Sequence, residues 1–220
     1  MKLTMPKEIQ DEIAKQGIIA VLEIESEKNA VPLAKALLDG GITVIELALR
    51  TKAAFPSISL IAKEFPQMYI VIGTVIEPGQ AETVKKEAGV RFAVSPGINS
   101  VIVKEAIEAD LPFAPGIATP SELELAISLG CRVVKLFPAE GMGGLKYLKS
   151  INGPYNHLGI RYIPLGGVTV ENLPGYAEFA PVLAIGGSWI ATKELINAQN
   201  WQEITKRAKE AKNIWDSNRK

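Results

Sequence analysis

The chain has 220 residues, enough to bury one sizeable core and short for two. Its 24 basic and 24 acidic side chains cancel, leaving no electrostatic footprint for nucleic acid or an anionic membrane surface. A single cysteine, Cys131, excludes an internal disulfide framework, and a single histidine, His157, excludes a multi-histidine metal site.

Met1 to Gln16 carry charges throughout and no signal-peptide core, and no apolar run in the chain reaches the length of a membrane span. Residues 1–14 read as a helix ahead of the first strand. That strand is Gly17-Ile18-Ile19-Ala20-Val21-Leu22. A helix follows over Asn29 to Asp39, apolar at 30, 31, 33, 34, 37 and 38, and Gly40-Gly41 stops it. Then come a strand over Ile42 to Leu49, a helix over Ala53 to Phe65 and a strand over Tyr69 to Gly73. Pro78 to Ala88 reads as helix, Phe92-Ala93-Val94 as strand, Ser100 to Ala109 as helix and Phe113-Ala114 as a very short strand. Pro120 to Leu129 is a helix with Thr119 as its N-cap. Cys131 to Leu136 reads as strand, Gly144 to Ile151 as helix, and Gly153 to His157 as a turn. Arg161 to Pro164 is a strand, Val170 to Phe179 a helix, Val182 to Ile185 a strand and Trp201 to Trp215 a terminal helix.

Eight strands alternating with helices demand a parallel sheet with helical crossovers. The expected fold is a closed (β/α)8 TIM barrel with an N-terminal helix that plugs one end. An open doubly wound sheet is the competing architecture, but no G-x-G-x-x-G follows the first strand. No linker or low-complexity tract divides the chain, so residues 1–220 are expected to form one domain, with 1–14 as a helical extension.

The site of such a barrel gathers at the C-terminal strand ends. Lys135 interrupts the apolar run Val133-Val134-Lys135-Leu136-Phe137. A lysine in a sheet covered on both faces is costly. It is either ion-paired or reaching out of the mouth, or it is an amine nucleophile, since burial disfavours an ammonium and a free amine attacks carbonyls. Glu46 interrupts Val44-Ile45-Glu46-Leu47-Ala48-Leu49-Arg50. With a period of two, Val44, Glu46, Ala48 and Arg50 share one face. Glu46 and Arg50 are either a structural ion pair, or a general acid/base and a carboxylate clamp. Thr74, just past the third strand, can donate to a substrate carboxylate.

Two glycine pairs end the last two strands: Leu165-Gly166-Gly167 and Ile185-Gly186-Gly187-Ser188, the last residue read as opening a helix. Exposed amides there, with a helix N-terminus, are the usual phosphate cradle of a barrel. Gly141-Met142-Gly143-Gly144 reads as a loop near the mouth. His157 reads as a surface residue, Cys131 as a small buried one, and Trp189, Trp201 and Trp215 as packing of the final helices.

The segments Ile45 to Thr51, Val94-Ser95-Pro96-Gly97, Pro115 to Glu122, Val134 to Glu140 and Gly186-Gly187-Ser188-Trp189 resemble the bacterial 2-keto-3-deoxy-6-phosphogluconate / 4-hydroxy-2-oxoglutarate aldolases. The likeness runs from about Ile18 to Ala211. It implies a class I aldolase that releases pyruvate and an aldehyde from a 2-keto acid, with no cofactor, assembled as a cytoplasmic homotrimer of the Entner–Doudoroff pathway. It places Lys135 as the Schiff-base lysine and Glu46 as the acid/base. Arg50 and Thr74 fall at the pyruvate carboxylate, Pro96 and Phe137 on the pocket wall, and Gly166, Gly167, Gly187 and Ser188 at the phosphate end. Three departures concern the distal half of the substrate: Leu165 for a frequent threonine, Ile72 within Val71-Ile72-Gly73-Thr74, and Glu23 where some members carry arginine.

Alternative readings are an aldolase for an unphosphorylated or galactonate-type 2-keto-3-deoxy acid, a phosphate-binding barrel isomerase, and a non-catalytic ligand-binding barrel. The isomerase does not need Lys135, and the non-catalytic barrel gains nothing from burying Lys135 and Glu46. A zinc aldolase is disfavoured by the single histidine.

Overall fold

The computed structural model describes residues 5–219. Part of the expected N-terminal helix falls on residues 1–4, outside the described residues; α1 spans Lys7–Gln16. Strands β1 (Ile18–Leu22), β2 (Val44–Ala48), β3 (Tyr69–Gly73) and β4 (Val90–Val94) pair in parallel, each with the next. β5 (Phe113–Ala114) pairs with β4, while β6 (Gly116–Ile117) pairs with β7 (Val133–Leu136). β7 pairs with β8 (Arg161–Pro164), and β9 (Ile185–Gly187) pairs with β1.

β5 and β6 are two halves of one extended segment, the fifth strand candidate, which changes neighbours at Pro115. Proline has no N–H to donate, but its carbonyl still accepts from the Lys135 amide at 2.9 Å. Single bridges, Tyr162 with Val182 and Leu165 with Gly186, join the β8 side to β9 and close the ring. The fold is a (β/α)8 barrel.

Strand alternation sorts the core into two shells. Ile19, Val44, Val71, Phe92, Val133 and Ile163 meet inside the barrel, and Ile13 of α1 and Met5 ahead of it join them. The other set, with Ile18, Ile45, Ile70 and Val134, packs against the helices. Those are α2 (Ala30–Asp39), α3 (Ala54–Glu64), α4 (Gln80–Lys86), α5 (Ser100–Glu108), α6 (Pro120–Ser128), α7 (Gly144–Tyr155), α8 (Leu173–Glu178), α9 (Lys193–Asn197) and α10 (Trp201–Asn218). α6 has the expected cap. The Thr119 hydroxyl accepts from the Glu122 amide at 3.3 Å, and the Glu122 carboxylate accepts from the Thr119 amide at 2.8 Å.

Several boundaries differ from the sequence reading. Gly153-Pro154 does not break the chain: α7 runs to Tyr155, and His157 lies exposed in a short 3-10 turn. Pro154 stands one residue before the end of α7, so its missing N–H removes a single hydrogen bond at the edge of the helix. The last strand lies at 185–187 rather than 182–185, because Val182 makes only one bridge and β1 pairs with Ile185, Gly186 and Gly187. Ser188 does not open a helix. It sits in a bend, and α9 begins at Lys193 with the Thr192 hydroxyl as cap. Similarly, α8 begins at Leu173, and the Asn172 side chain accepts from the Thr169 amide at 2.8 Å in the turn before it.

Candidate active site

Val44 and Val133 point to the barrel axis, so Glu46 and Lys135, two residues on in each strand, point there as well. They meet. Lys135 Nζ lies 2.9 Å from Glu46 Oε1, and their side chains are 6% and 4% exposed. Removing two charges from water is expensive even when they pair, so burying such a pair is a poor way to gain stability. It is a good way to hold an amine beside a proton acceptor.

Neighbouring strands shape the space around the pair. The Phe137 ring centre lies 5.4 Å from Nζ. Gly116 is the register partner of Lys135, and a Cβ on Gly116 would lie 2.2 Å from the Pro96 carbonyl oxygen. The Ser95-Pro96-Gly97 loop is thus clamped against the strand beside the lysine. The Ser95 hydroxyl donates to the Gly97 carbonyl at 2.6 Å and tightens that loop. Gly73 lies in β3 beside Glu46, and a Cβ there would lie 2.2 Å from Oε1. Thr74 follows with φ at +65°, half-buried, in a region unfavourable to a β-branched residue.

Towards solvent the barrel mouth opens into a cleft of about 470 Å³, whose wall includes Glu23, Arg50, Gly167, Thr169, Ser188 and Lys193. Arg50 does not pair with Glu46. Its Nη1 lies 3.5 Å from the Glu23 carboxylate, at the end of β1.

Residues 9–207 match the sequence family described as KDPG and KHG aldolase. The chain belongs to that family. It is 42% identical over 194 residues to the KHG/KDPG aldolase of Escherichia coli K12, covering 88% of this chain and 90% of that protein. It is similar to a crystal structure of the KDPG aldolase of Legionella pneumophila with pyruvate captured as a covalent carbinolamine. The TM-score is 0.86 at 36% identity, covering 92% of this chain and 97% of the other. The 2-keto-3-deoxy-6-phosphogluconate aldolase of Zymomonas mobilis ZM4, solved with 3-phosphoglycerate, gives 0.82 at 34% identity, over 95% and 97% of the two chains.

Among the ten residues that the KDPG and KHG aldolase resemblance singles out, the structure brings Lys135, Glu46 and Phe137 together on the axis. Pro96 is tied to them through Gly116, and Thr74 follows the glycine that abuts Glu46. At the distal end Gly167 and Ser188 are exposed on the cleft wall with Arg50. Gly166 and Gly167 have φ of +92° and +84°, which only glycine adopts freely. Gly187 is different: it is buried in β9, with the Trp189 ring where a Cβ would stand. No helix begins at Ser188, since α9 starts at Lys193, so the helix N-terminus expected beside this glycine pair is absent there.

Other contributors escaped the sequence reading. Lys193 and Thr169 line the same cleft. Glu140 packs under Gly167, its Cβ 2.7 Å from where a glycine Cβ would be. The Tyr176 hydroxyl fixes it by donating to its carboxylate at 2.5 Å. Burial, and then that carboxylate, hold the Tyr176 phenol well above its ordinary range. A glutamate five residues past the lysine, at the end of Leu136-Phe137-Pro138-Ala139-Glu140, was the available signal.

Proposed function

We propose that this protein is a class I, metal-independent aldolase that cleaves 2-keto-3-deoxy-6-phosphogluconate or 4-hydroxy-2-oxoglutarate to pyruvate and an aldehyde. The observation that carries the reading is the buried pair, Lys135 Nζ and Glu46 Oε1, at 2.9 Å on the axis of the barrel.

The geometry fits the chemistry step by step. Glu46 accepts a proton from the Lys135 ammonium, and the amine attacks the C2 keto carbon to give a carbinolamine. Glu46 returns its proton to the departing hydroxyl, water leaves, and an iminium remains. The carboxylate then takes the C4 hydroxyl proton. The C3–C4 bond breaks, its electron pair enters the iminium to form an enamine, and the aldehyde departs. Protonation at C3 by Glu46 and hydrolysis by water release pyruvate and restore the amine. One buried carboxylate serves every transfer because the reacting atoms stay within a few ångströms of Lys135.

Arg50 and Thr74 are assigned to the substrate carboxylate, and Pro96 and Phe137 to the wall beside the imine. Gly166, Gly167, Gly187 and Ser188 are assigned to the distal end, with Gly167 and Ser188 in direct reach of the cleft. We further infer from the family resemblance a homotrimer of single-domain chains in the cytoplasm, working in the Entner–Doudoroff pathway. No helix among the described residues is long and apolar enough to cross a membrane.

The test is cleavage itself. Purified protein should release pyruvate from 2-keto-3-deoxy-6-phosphogluconate without added metal, and a chelator should leave the rate unchanged. No pyruvate from this acid or from 4-hydroxy-2-oxoglutarate would defeat the reading.

A further inference from the structure

The cleft at the barrel mouth contains an anion of its own. Glu23 directly follows β1, and its carboxylate lies 3.5 Å from Arg50 Nη1 and 3.5 Å from Lys193 Nζ. These two cations come from different elements, the end of β2 and the start of α9, and both line the cleft with Gly167 and Ser188. Lys193 has a second partner, Glu25, at 2.6 Å, and Glu25 also accepts from the Asn197 amide group at 2.7 Å. Arg50 has no such second carboxylate among the described salt bridges. Glu194 also stands on the wall, so the local charge is mixed.

An anionic substrate group that enters this cleft meets Glu23 where it seeks a cation. A distal anion meets that carboxylate as a like charge and must compete with it for Lys193, while Arg50 is left to the C1 carboxylate. A phosphate carries about −1.5 to −2 charge near neutral pH, whereas the hydroxyl of the unphosphorylated acid carries none. Both substrates share the C1 carboxylate, so Glu23 bears on their difference through the distal charge.

We propose that Glu23 is a specificity-determining residue that disfavours a dianionic distal group and moderates the preference for phosphorylated substrates. This rests on the aldolase reading. The Glu23 side chain is 31% exposed, so solvent screens it and its effect is modest. Neutralising it removes the like charge that a distal phosphate meets in the cleft, while any effect through Arg50 on the C1 carboxylate is common to both acids.

The experiment measures kcat/KM for 2-keto-3-deoxy-6-phosphogluconate and for 2-keto-3-deoxygluconate in wild type, Glu23→Gln and Glu23→Asp. The ratio of phosphorylated to unphosphorylated acid should rise about twofold to fivefold in Glu23→Gln. The rise should shrink at high salt. Glu23→Asp, which keeps the charge, should stay near the wild-type ratio. An unchanged or lower ratio in Glu23→Gln would overturn the proposal, as would equal shifts in both variants. Wild-type labelling by pyruvate and borohydride separates the two levels. Labelled protein with an unchanged ratio removes only the role of Glu23, whereas unlabelled protein removes the aldolase reading on which it stands.

Discussion

A Cβ on Gly73 would stand 2.2 Å from Oε1 of Glu46, so that carboxylate occupies the space that any other residue at 73 would fill. Gly73 lies in β3 and Glu46 in β2, and the register sets Gly73 beside Ala48, one pleat further along than Glu46. The missing side chain lets the carboxylate reach across to Lys135. Gly73→Ala should displace Oε1 from Nζ and slow exchange of the pyruvate methyl protons by about 10²-fold. Glu46→Gln, which removes the base and keeps the shape, should cost roughly 10²–10⁴ in the same assay. Wild-type exchange in Gly73→Ala would mean that the carboxylate is not held by that gap.

The buried pair also has a consequence for stability. Lys135→Met leaves the Glu46 carboxylate buried with no cation, which costs about 3–5 kcal/mol. Urea unfolding should therefore show a large loss of stability. The double variant Lys135→Met, Glu46→Leu should recover much of the loss. A single variant as stable as wild type would contradict the burial of the pair.

Thr74 combines a hydroxyl at the site with a left-handed backbone at φ +65°. For a β-branched residue that conformation costs about 1–3 kcal/mol. Thr74→Gly relieves the strain and adds about 0.5–1 kcal/mol of unfolded-chain entropy to overcome. The variant should unfold at the wild-type temperature or above it. Its KM should rise up to about tenfold through loss of the hydroxyl hydrogen bond. Thermal unfolding and steady-state kinetics together check both halves.

The two residues to which the chemistry is assigned were legible because each breaks an apolar run: Lys135 in one strand, Glu46 in another. Their partnership was not, because the two are 89 positions apart, and the nearer cation, Arg50, competed for Glu46 in the sequence. The need for glycine at 73 depends on a side chain from a neighbouring strand, which no local pattern reports. The barrel followed from alternation alone, yet the split of the fifth strand at Pro115 required knowing which neighbour each half pairs with. At Ser188 the glycine-serine ending of a strand mimicked a helix start, while the hydroxyl that caps α9 belongs to Thr192. Glu23 was visible as a departure from the family, and only the structure shows which cations it holds.

Leu165 tests the distal half in another way. It is 4% exposed, and its Cγ lies 2.2 Å from where a Cβ on Gly186 would stand, so it fills the place beside the last strand with methyl groups. A threonine there would offer a hydroxyl to the substrate, worth roughly 0.5–1.5 kcal/mol. Leu165→Thr should sharpen discrimination between C4 epimers by up to about tenfold without changing the phosphate preference. Equal epimer ratios in wild type and variant would show that residue 165 does not face the C4 hydroxyl.

Whether Lys135 forms the imine is read most directly by trapping it. Wild-type protein incubated with pyruvate and borohydride is digested, and the labelled peptide is sequenced by mass spectrometry. One stoichiometric reduced adduct is expected, on Lys135, formed in competition with substrate and lost in Lys135→Met. A stoichiometric adduct on a different lysine, or no adduct in protein that turns over substrate, would contradict it.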